Sequence, residues 1–120
     1  MNCIECHSGA AERAGFPTAS KCMLCHREIR KESASIQALA SLPKDAKPFP
    51  AERVYRLADF VFFSHARHKE ARIECAQCHG PVMEREKLRR EFPLTMKTCV
   101  DCHRSREATV LCNACHELNQ

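Results

Sequence analysis

The feature that most constrains this chain is one short pattern that occurs five times. All ten cysteines fall into pairs separated by two residues, and a histidine directly follows each pair. The first to fifth motifs are, in chain order, Cys3/Cys6/His7, Cys22/Cys25/His26, Cys75/Cys78/His79, Cys99/Cys102/His103 and Cys112/Cys115/His116. Because no cysteine is left over, a single chemistry must account for all ten.

Cys-x-x-Cys-His is the attachment pattern of c-type haem. Two thiols three residues apart can each form a thioether with a haem vinyl group, and the adjacent histidine then places its imidazole on the iron. Zinc ribbons take Cys-x-x-Cys pairs two at a time, so five pairs would leave one unmatched. A redox dithiol uses one such motif beside a βαβ pattern, which this chain lacks. The sequence therefore predicts five haem c groups with their irons and disfavours the zinc and disulfide interpretations.

Two histidines lie outside the motifs, and both precede the third motif: His65 stands ten residues before the next cysteine and His68 seven. Beyond the porphyrin and the motif histidine, each iron has one further position that a distal side chain can fill. His65 and His68 are the first candidates for this role; the alternative is a solvated pair or a surface metal site. Phe60, Phe62 and Phe63 suit packing on haem faces or an ordinary core.

Five irons need five distal ligands for full six-coordination, and only two histidines are free. Methionine is the usual second choice of distal ligand, although a buried methionine is ordinarily a gap-filler. Met96, three residues before Cys99, is the best candidate. Met83 is weaker, and Met23 lies between two thioether cysteines, where its own haem is hard to reach. With His65, His68 and Met96 as ligands two haems remain, and unless their distal ligands come from outside this chain they are five-coordinate or use lysine or the terminal amine.

The pattern Phe-Ser-His-x-x-His at 63–68, followed by a haem motif, resembles the class III multihaem cytochromes c. The pieces CHGPV at 78–82, PLTM at 93–96 and CVDCHR at 99–104, with CHSGA, AGFP and CMLCH between 6 and 26, are similar to the pentahaem subunit of the quinol-oxidising alternative complex III and its relatives. The resemblance implies that His65 ligates the haem of His79 and that His68 ligates another haem.

The chain also contains an internal repeat. GFPTASKCMLCHR at 15–27 and EFPLTMKTCVDCHR at 91–104 align with a single one-residue gap, which sets Ala19 opposite Met96. The related subunits commonly carry a second histidine pair just before their first haem motif. We therefore expect this chain to be a fragment of a longer product or to take distal ligands from a neighbour.

The expected architecture is a single pentahaem domain over 1–120, with two haems in 3–26, a haem-free connector at 27–61 and three haems in 62–116. With three glycines, one tyrosine and no tryptophan, the chain has few residues for an ordinary core. The predicted fold is a small multihaem cytochrome c with a core of stacked haems. Short helices surround the haem motifs, most of the backbone is irregular, and there is little or no β-structure.

Three segments outside the motifs carry local predictions. Residues 33–42 favour a short helix that ends before Pro43. Residues 54–63 favour extended chain or a short strand. Residues 84–91 favour a helix by propensity alone.

Charge and localisation follow from the cofactors. The formal charge of +4 and the basic segment at 85–90 suggest nucleic acid at first sight. Haem propionates and ferric cores bring the net charge to about −1 when oxidised and about −6 when reduced, which argues against nucleic acid as a partner.

Haem c is attached outside the cytoplasmic membrane, so we expect the protein to be periplasmic or to lie on the outer face of the cytoplasmic membrane. We also expect a leader that is missing from the chain, and no membrane span.

The resemblance implies electron transfer through the haems, with redox proteins as partners and a membrane quinol-oxidising respiratory complex among them. The alternatives are a free periplasmic electron shuttle and, in another class, a multihaem reductase with an open haem site. Electron transfer is favoured over an enzyme because every motif keeps its histidine and no free histidine remains to serve a pocket.

Overall fold

The structure, a computed structural model, describes residues 2–12, 15–48 and 53–117. The helices are α1 (Cys3–Cys6), α2 (Ala19–His26), α3 (Ala34–Ala40), α4 (His65–Glu70), α5 (Ala76–His79), α6 (Met96–Ser105) and α7 (Cys112–Cys115), with a 3₁₀ turn at Val82–Glu84. This part of the chain contains no strand, only an antiparallel bridge between Val61 and His116. The predicted small, mostly irregular fold with short helices at the haem motifs is confirmed. None of the described helices is long and apolar enough to cross a membrane.

The contacts of the chain group into two compact units, Met1–Glu52 and Arg53–Gln120. The first unit contains the first two motifs, and the second contains the other three together with His65 and His68. The haem-free connector is thus shared between the two units. A single pentahaem domain over the whole chain stays a prediction.

In the first unit, the first two backbone amides of α2 donate hydrogen bonds to a loop farther along the chain. Thr18 precedes the helix and provides no side-chain cap. Instead, the Ala19 amide donates to the carbonyl of Ala46 at 2.8 Å, and the Ser20 amide donates to the carbonyl of Lys44 at 3.0 Å. These bonds satisfy two of the amides that a helix leaves unpaired at its N-terminus. They hold the first residues of α2 against the loop that follows α3.

Helix α3 confirms the prediction for 33–42, since it spans Ala34–Ala40 and ends before Pro43. Proline lacks an amide donor and its ring clashes with a helical backbone, so the helix cannot continue through it. Helix α3 packs against α2 within the same unit.

The two segments of the internal repeat form similar helices. Thr18 precedes α2, and Thr95 precedes α6, where its hydroxyl accepts a hydrogen bond from the Thr98 amide. Each helix therefore begins three residues before the first cysteine of its motif. Ala19 and Met96 both occupy the first helical position, but Ala19 is 2% exposed and Met96 is 66% exposed.

The helix predicted for 84–91 is wrong, because beyond the 3₁₀ turn at Val82–Glu84 this segment is irregular. Tertiary contacts at its end replace the helix. The Glu91 amide donates to the hydroxyl of Tyr55 at 2.9 Å, and the Glu91 carboxylate accepts two hydrogen bonds from Arg85. A helix of this length is marginal on propensity alone, so these contacts decide the backbone.

Residues 54–63 are extended or turning chain, and the short strand that was the alternative does not form. The segment is tied to the fifth motif at two neighbouring residues. Val61 bridges to His116, and the Phe62 amide donates to the carbonyl of Cys115 at 2.8 Å.

The described polypeptide has almost no buried interior. Ala19 is the one apolar residue that is fully buried among the described residues. Phe60, Phe62 and Phe63 remain 54%, 56% and 45% exposed. A chain of this length normally buries most of its apolar surface, because hydrophobic burial must offset the loss of conformational entropy. The apolar side chains of the described residues therefore need a partner other than one another.

Gly80 directly follows His79, and its backbone conformation is one that other residues adopt only with strain. Substitution of Gly80 should therefore destabilise the protein. Its φ of 67° and ψ of −171° lie in a region that only glycine adopts easily. An added Cβ would also lie 2.9 Å from the Cδ of Glu91. We expect Gly80→Ala to lower the unfolding free energy of the haem-loaded protein by about 1–3 kcal/mol, measured by guanidinium denaturation.

Gly15→Ala is the matched control, because a Cβ at Gly15 meets nothing within 4 Å. Its effect should stay below about 1 kcal/mol. Equal losses in the two variants would contradict the role of the Gly80 backbone.

Candidate haem-binding site

Helix α4 carries the two histidines that lie outside the motifs. It begins at His65, after Ser64, whose hydroxyl accepts a hydrogen bond from the Arg67 amide at 3.3 Å. This cap stabilises a helix of six residues that propensity alone would not hold. His65 and His68 are three residues apart, so they lie on neighbouring positions of one helix face.

The structure brings each of these histidines to a motif histidine. The ring centre of His65 lies 6.3 Å from that of His79, and the two ring planes differ by 15°. The ring centre of His68 lies 6.1 Å from that of His103, with an angle of 48° between the planes. One helix thus faces the third and the fourth motif at the same time.

These distances fit a haem iron between each pair of rings. A metal–imidazole bond is about 2 Å long and the ring centre lies roughly 1 Å beyond the nitrogen, so two imidazoles on one iron have centres about 6 Å apart. The imidazole donors therefore fit haem at the third and fourth motifs.

The backbone fixes the tautomer of four histidines. Their Nδ1 atoms lie within hydrogen-bond distance of a carbonyl oxygen: His7 to Gly15 at 2.9 Å, His26 to Ile29 at 3.2 Å, His68 to Ser64 at 2.8 Å and His103 to Thr109 at 2.6 Å. A carbonyl oxygen can only accept, so Nδ1 must carry the proton and donate it. Nε2 is then left with a free lone pair, which is the state that binds a metal.

The surroundings of His65 lower its pKa below the ordinary value. Loss of solvation is the main cause, and His79 and His68 lower the pKa of His65 further whenever they are protonated. Iron binds the neutral imidazole, so a lowered pKa favours the ligating form at neutral pH.

The rings of Phe60 and Phe63, which the sequence predicts to pack on haem faces or in an ordinary core, contact histidine rings. The Phe63 ring centre lies 4.8 Å from that of His65 and 4.5 Å from that of His68. The Phe60 ring lies 5.8 Å from that of His116. These exposed rings provide apolar surface beside imidazoles, where a porphyrin face can pack.

The cysteines of the second unit lie close to one another, and none of the ten cysteines forms a disulfide. Burial raises the pKa of Cys78, and the neighbouring Cys102 and Cys99 raise it further. Burial likewise raises the pKa of Cys99, followed by the effect of Cys115. The third motif therefore neighbours the fourth, and the fourth neighbours the fifth.

The methionines considered as distal ligands lie in different surroundings. Met96 begins α6 and is 66% exposed, so its sulfur is accessible. Met83 lies in the 3₁₀ turn and is 75% exposed. Met23 lies inside α2 between Cys22 and Cys25.

Sequence reasoning missed Tyr55, which contacts the third motif. Its hydroxyl donates to the carbonyl of Cys78 at 2.8 Å and accepts from the Glu91 amide at 2.9 Å. Its ring centre lies 4.8 Å from that of His79, in an edge-to-face arrangement. The available sequence signal was weak: this is the chain's one tyrosine, in a segment without haem motifs.

Comparison with known proteins identifies similarity to c-type cytochromes. Residues 61–117 match the family described as cytochrome c7 and related cytochrome c. The chain is also 25% identical over 144 aligned positions to the high-molecular-weight cytochrome c of Nitratidesulfovibrio vulgaris, in an alignment that covers 95% of this chain and 26% of that protein. The chain thus spans about a quarter of the length of this curated relative. Both similarities support covalently bound haem c as the cofactor of the Cys-x-x-Cys-His motifs.

The cap of α4 predicts a specific stability effect. Replacing Ser64 by alanine removes the hydroxyl that accepts from the Arg67 amide. We expect Ser64→Ala to lower the unfolding free energy of the haem-loaded protein by about 1 kcal/mol, measured by guanidinium denaturation followed by circular dichroism.

Ser33→Ala provides the control, because Ser33 precedes α3 but makes no side-chain cap. Its loss should be less than half that of Ser64→Ala. A Ser33 effect as large as the Ser64 effect would show that the cap of α4 is not what stabilises it.

Proposed function

We propose that this protein binds five c-type haems and transfers single electrons along them. The observation that carries this proposal is the pairing of His65 with His79 and of His68 with His103, at 6.3 and 6.1 Å between ring centres. An iron held by two imidazoles has no open position for a substrate, so it exchanges electrons and not atoms. Similarity to c-type cytochromes supports the same function.

The proposed ligand set follows from these pairs. His79 and His65 hold the iron of the haem attached at the third motif, and His103 and His68 hold that of the fourth. The residues of α4 therefore link two haems through one short helix. His7, His26 and His116 are the motif ligands of the remaining haems.

The proximity of the thiols supports a continuous electron path in the second unit. Cys78 of the third motif lies near Cys99 and Cys102 of the fourth, and Cys99 lies near Cys115 of the fifth. Haems attached to neighbouring cysteines pack near one another, which makes transfer between them short-range. Stacked haems would also cover the exposed phenylalanines and form the interior that the polypeptide lacks.

We also propose Met96 as a distal ligand for a further haem. Its accessible thioether lies one helical turn before Cys99. Methionine ligation raises the potential of a haem relative to ligation by two histidines. A haem ligated by Met96 would therefore be the high-potential end of the path.

The proposed setting is the periplasm or the outer face of the cytoplasmic membrane, where haem c is attached. The segments CHGPV and PLTM support a role as a subunit or partner of a membrane quinol-oxidising complex that passes electrons toward a soluble acceptor. A free periplasmic shuttle is the alternative. In size-exclusion chromatography of native material, a subunit runs with its complex and a shuttle runs alone.

Carbon monoxide binding tests the ligand assignments. Carbon monoxide binds a ferrous haem only where the sixth position is open or weakly filled. We expect His65→Ala and His68→Ala each to add one carbon-monoxide-binding haem per molecule to the parent value, and the double variant to add two. Met96→Leu should add one more if its sulfur is a ligand. The measurement is a carbon monoxide difference titration, normalised to total haem.

Arg67→Ala is the matched control on the same helix, because the Arg67 side chain is 83% exposed and pairs with Glu70 in an exposed salt bridge at 3.5 Å. It should add no binding site. An unchanged count in His65→Ala and His68→Ala would refute the ligation by two histidines on which the electron-transfer proposal depends.

A further inference from the structure

We propose that Tyr55 is a positioning residue for the haem at the third motif: it orients the imidazole of His79 and thereby contributes to the reduction potential of that haem. This inference rests on the proposed haem ligation by His79. It concerns a residue outside every haem motif and outside the set of iron ligands.

Tyr55 ties the attachment helix to a second segment of the chain. Its hydroxyl donates to the carbonyl of Cys78 at 2.8 Å. The same oxygen accepts from the amide of Glu91 at 2.9 Å and more weakly from that of Phe92 at 3.4 Å. One partly buried hydroxyl thus fixes the last thioether cysteine of the motif relative to 91–92.

The ring of Tyr55 contacts the iron ligand itself. Its centre lies 4.8 Å from that of His79, and the two planes meet at 71°. An edge-to-face contact of this kind restricts rotation of the imidazole about its bond to the iron. The His65 ring, whose centre lies 6.3 Å from that of His79, is nearly parallel to the His79 ring, at 15°.

The motif needs such support because its own helix is short. Helix α5 has four residues, and it ends at Gly80, whose positive φ turns the chain away. Four other histidines are oriented by an Nδ1 hydrogen bond to a carbonyl oxygen. The imidazole of His79 is contacted by the ring of Tyr55 and by the ring of His65. Tyr55 thus contacts the ring of His79 and also holds the backbone of the motif through the carbonyl of Cys78.

The segment that bonds to Tyr55, residues 91–92, is held in place by further contacts of Glu91. The Glu91 carboxylate accepts from Arg85 Nη2 at 3.0 Å and from Arg85 Nε, and both side chains are partly buried. Glu91 also approaches Gly80, where a Cβ would collide with its carboxylate. Tyr55, Gly80, Arg85 and Glu91 therefore form one connected group around the third motif.

Orientation of an axial imidazole and exclusion of water from it are two ways in which a protein tunes a haem. Loss of the Tyr55 hydroxyl leaves the Cys78 carbonyl and the Glu91 amide to bond to water instead. Water near the ligand stabilises the more highly charged ferric form, so the potential should fall.

The test is Tyr55→Phe in the haem-loaded protein, which keeps the ring and removes the hydroxyl. Paramagnetic NMR shifts of the haem methyl groups report the orientation of the axial imidazoles for each haem separately. We expect the methyl shifts of the third-motif haem, identified by its contacts to the ring at position 55, to move. The same signals followed through a redox titration should show a lower potential for this haem and unchanged potentials for the others.

Ser105→Ala is the matched control, because the Ser105 hydroxyl donates to the carbonyl of Cys102 at 2.8 Å, the equivalent position of the fourth motif. Ser105 lies on the same helix as that motif, so its hydrogen bond to Cys102 stays within one segment of the chain. This variant should leave the methyl shifts and the potential of the fourth-motif haem unchanged.

Unmoved methyl shifts and an unmoved potential in Tyr55→Phe would overturn the positioning role. An equal shift in Ser105→Ala would also overturn it, since loss of a carbonyl hydrogen bond alone would then suffice. Failure of the proposed function is distinguishable, because the unmodified protein would then lack the low-spin spectrum of a haem held by two histidines.

Discussion

The pairing of imidazole rings at a spacing that fits one metal ion is the constraint on which the rest of this structure depends. The described residues bury Ala19 and leave most large apolar side chains exposed, so packing within the polypeptide cannot hold its short helices in place. The pairs His65 with His79 and His68 with His103 bring distant parts of the second unit together at a spacing that fits one iron each. We infer that bound haem supplies both the cross-links and the apolar interior of this protein.

Short helices with little packing of their own need other means to orient a ligand. Four motif or distal histidines are oriented by donating Nδ1–H to a backbone carbonyl oxygen. His79 is contacted by the ring of Tyr55, and His116 by the ring of Phe60. Irregular backbone serves this purpose well, because its carbonyl groups are not already used in helical hydrogen bonds. A largely irregular fold is thus compatible with precisely oriented ligands.

The motifs and the fold class could be predicted from the sequence because they depend on local spacing. The helix over Ala34–Ala40 was predictable for the same reason, since a proline ends it. The helix expected at 84–91 does not form, because the contact of Glu91 with Tyr55 is long-range and outweighs local helix propensity. The partner of His68 could not be assigned from sequence, since its proximity to His103 depends on how the chain returns after the third motif. Assignment of the ligands to individual irons stays a prediction.

The central claim is that each pair of cysteines carries a covalently attached haem. The most direct test is intact-mass analysis of protein matured in a host that has the haem-attachment machinery, under denaturing conditions that remove any group bound without covalent bonds. The account predicts a mass above that of the bare polypeptide by five haem groups, one for each motif. A mass equal to that of the bare polypeptide would contradict it.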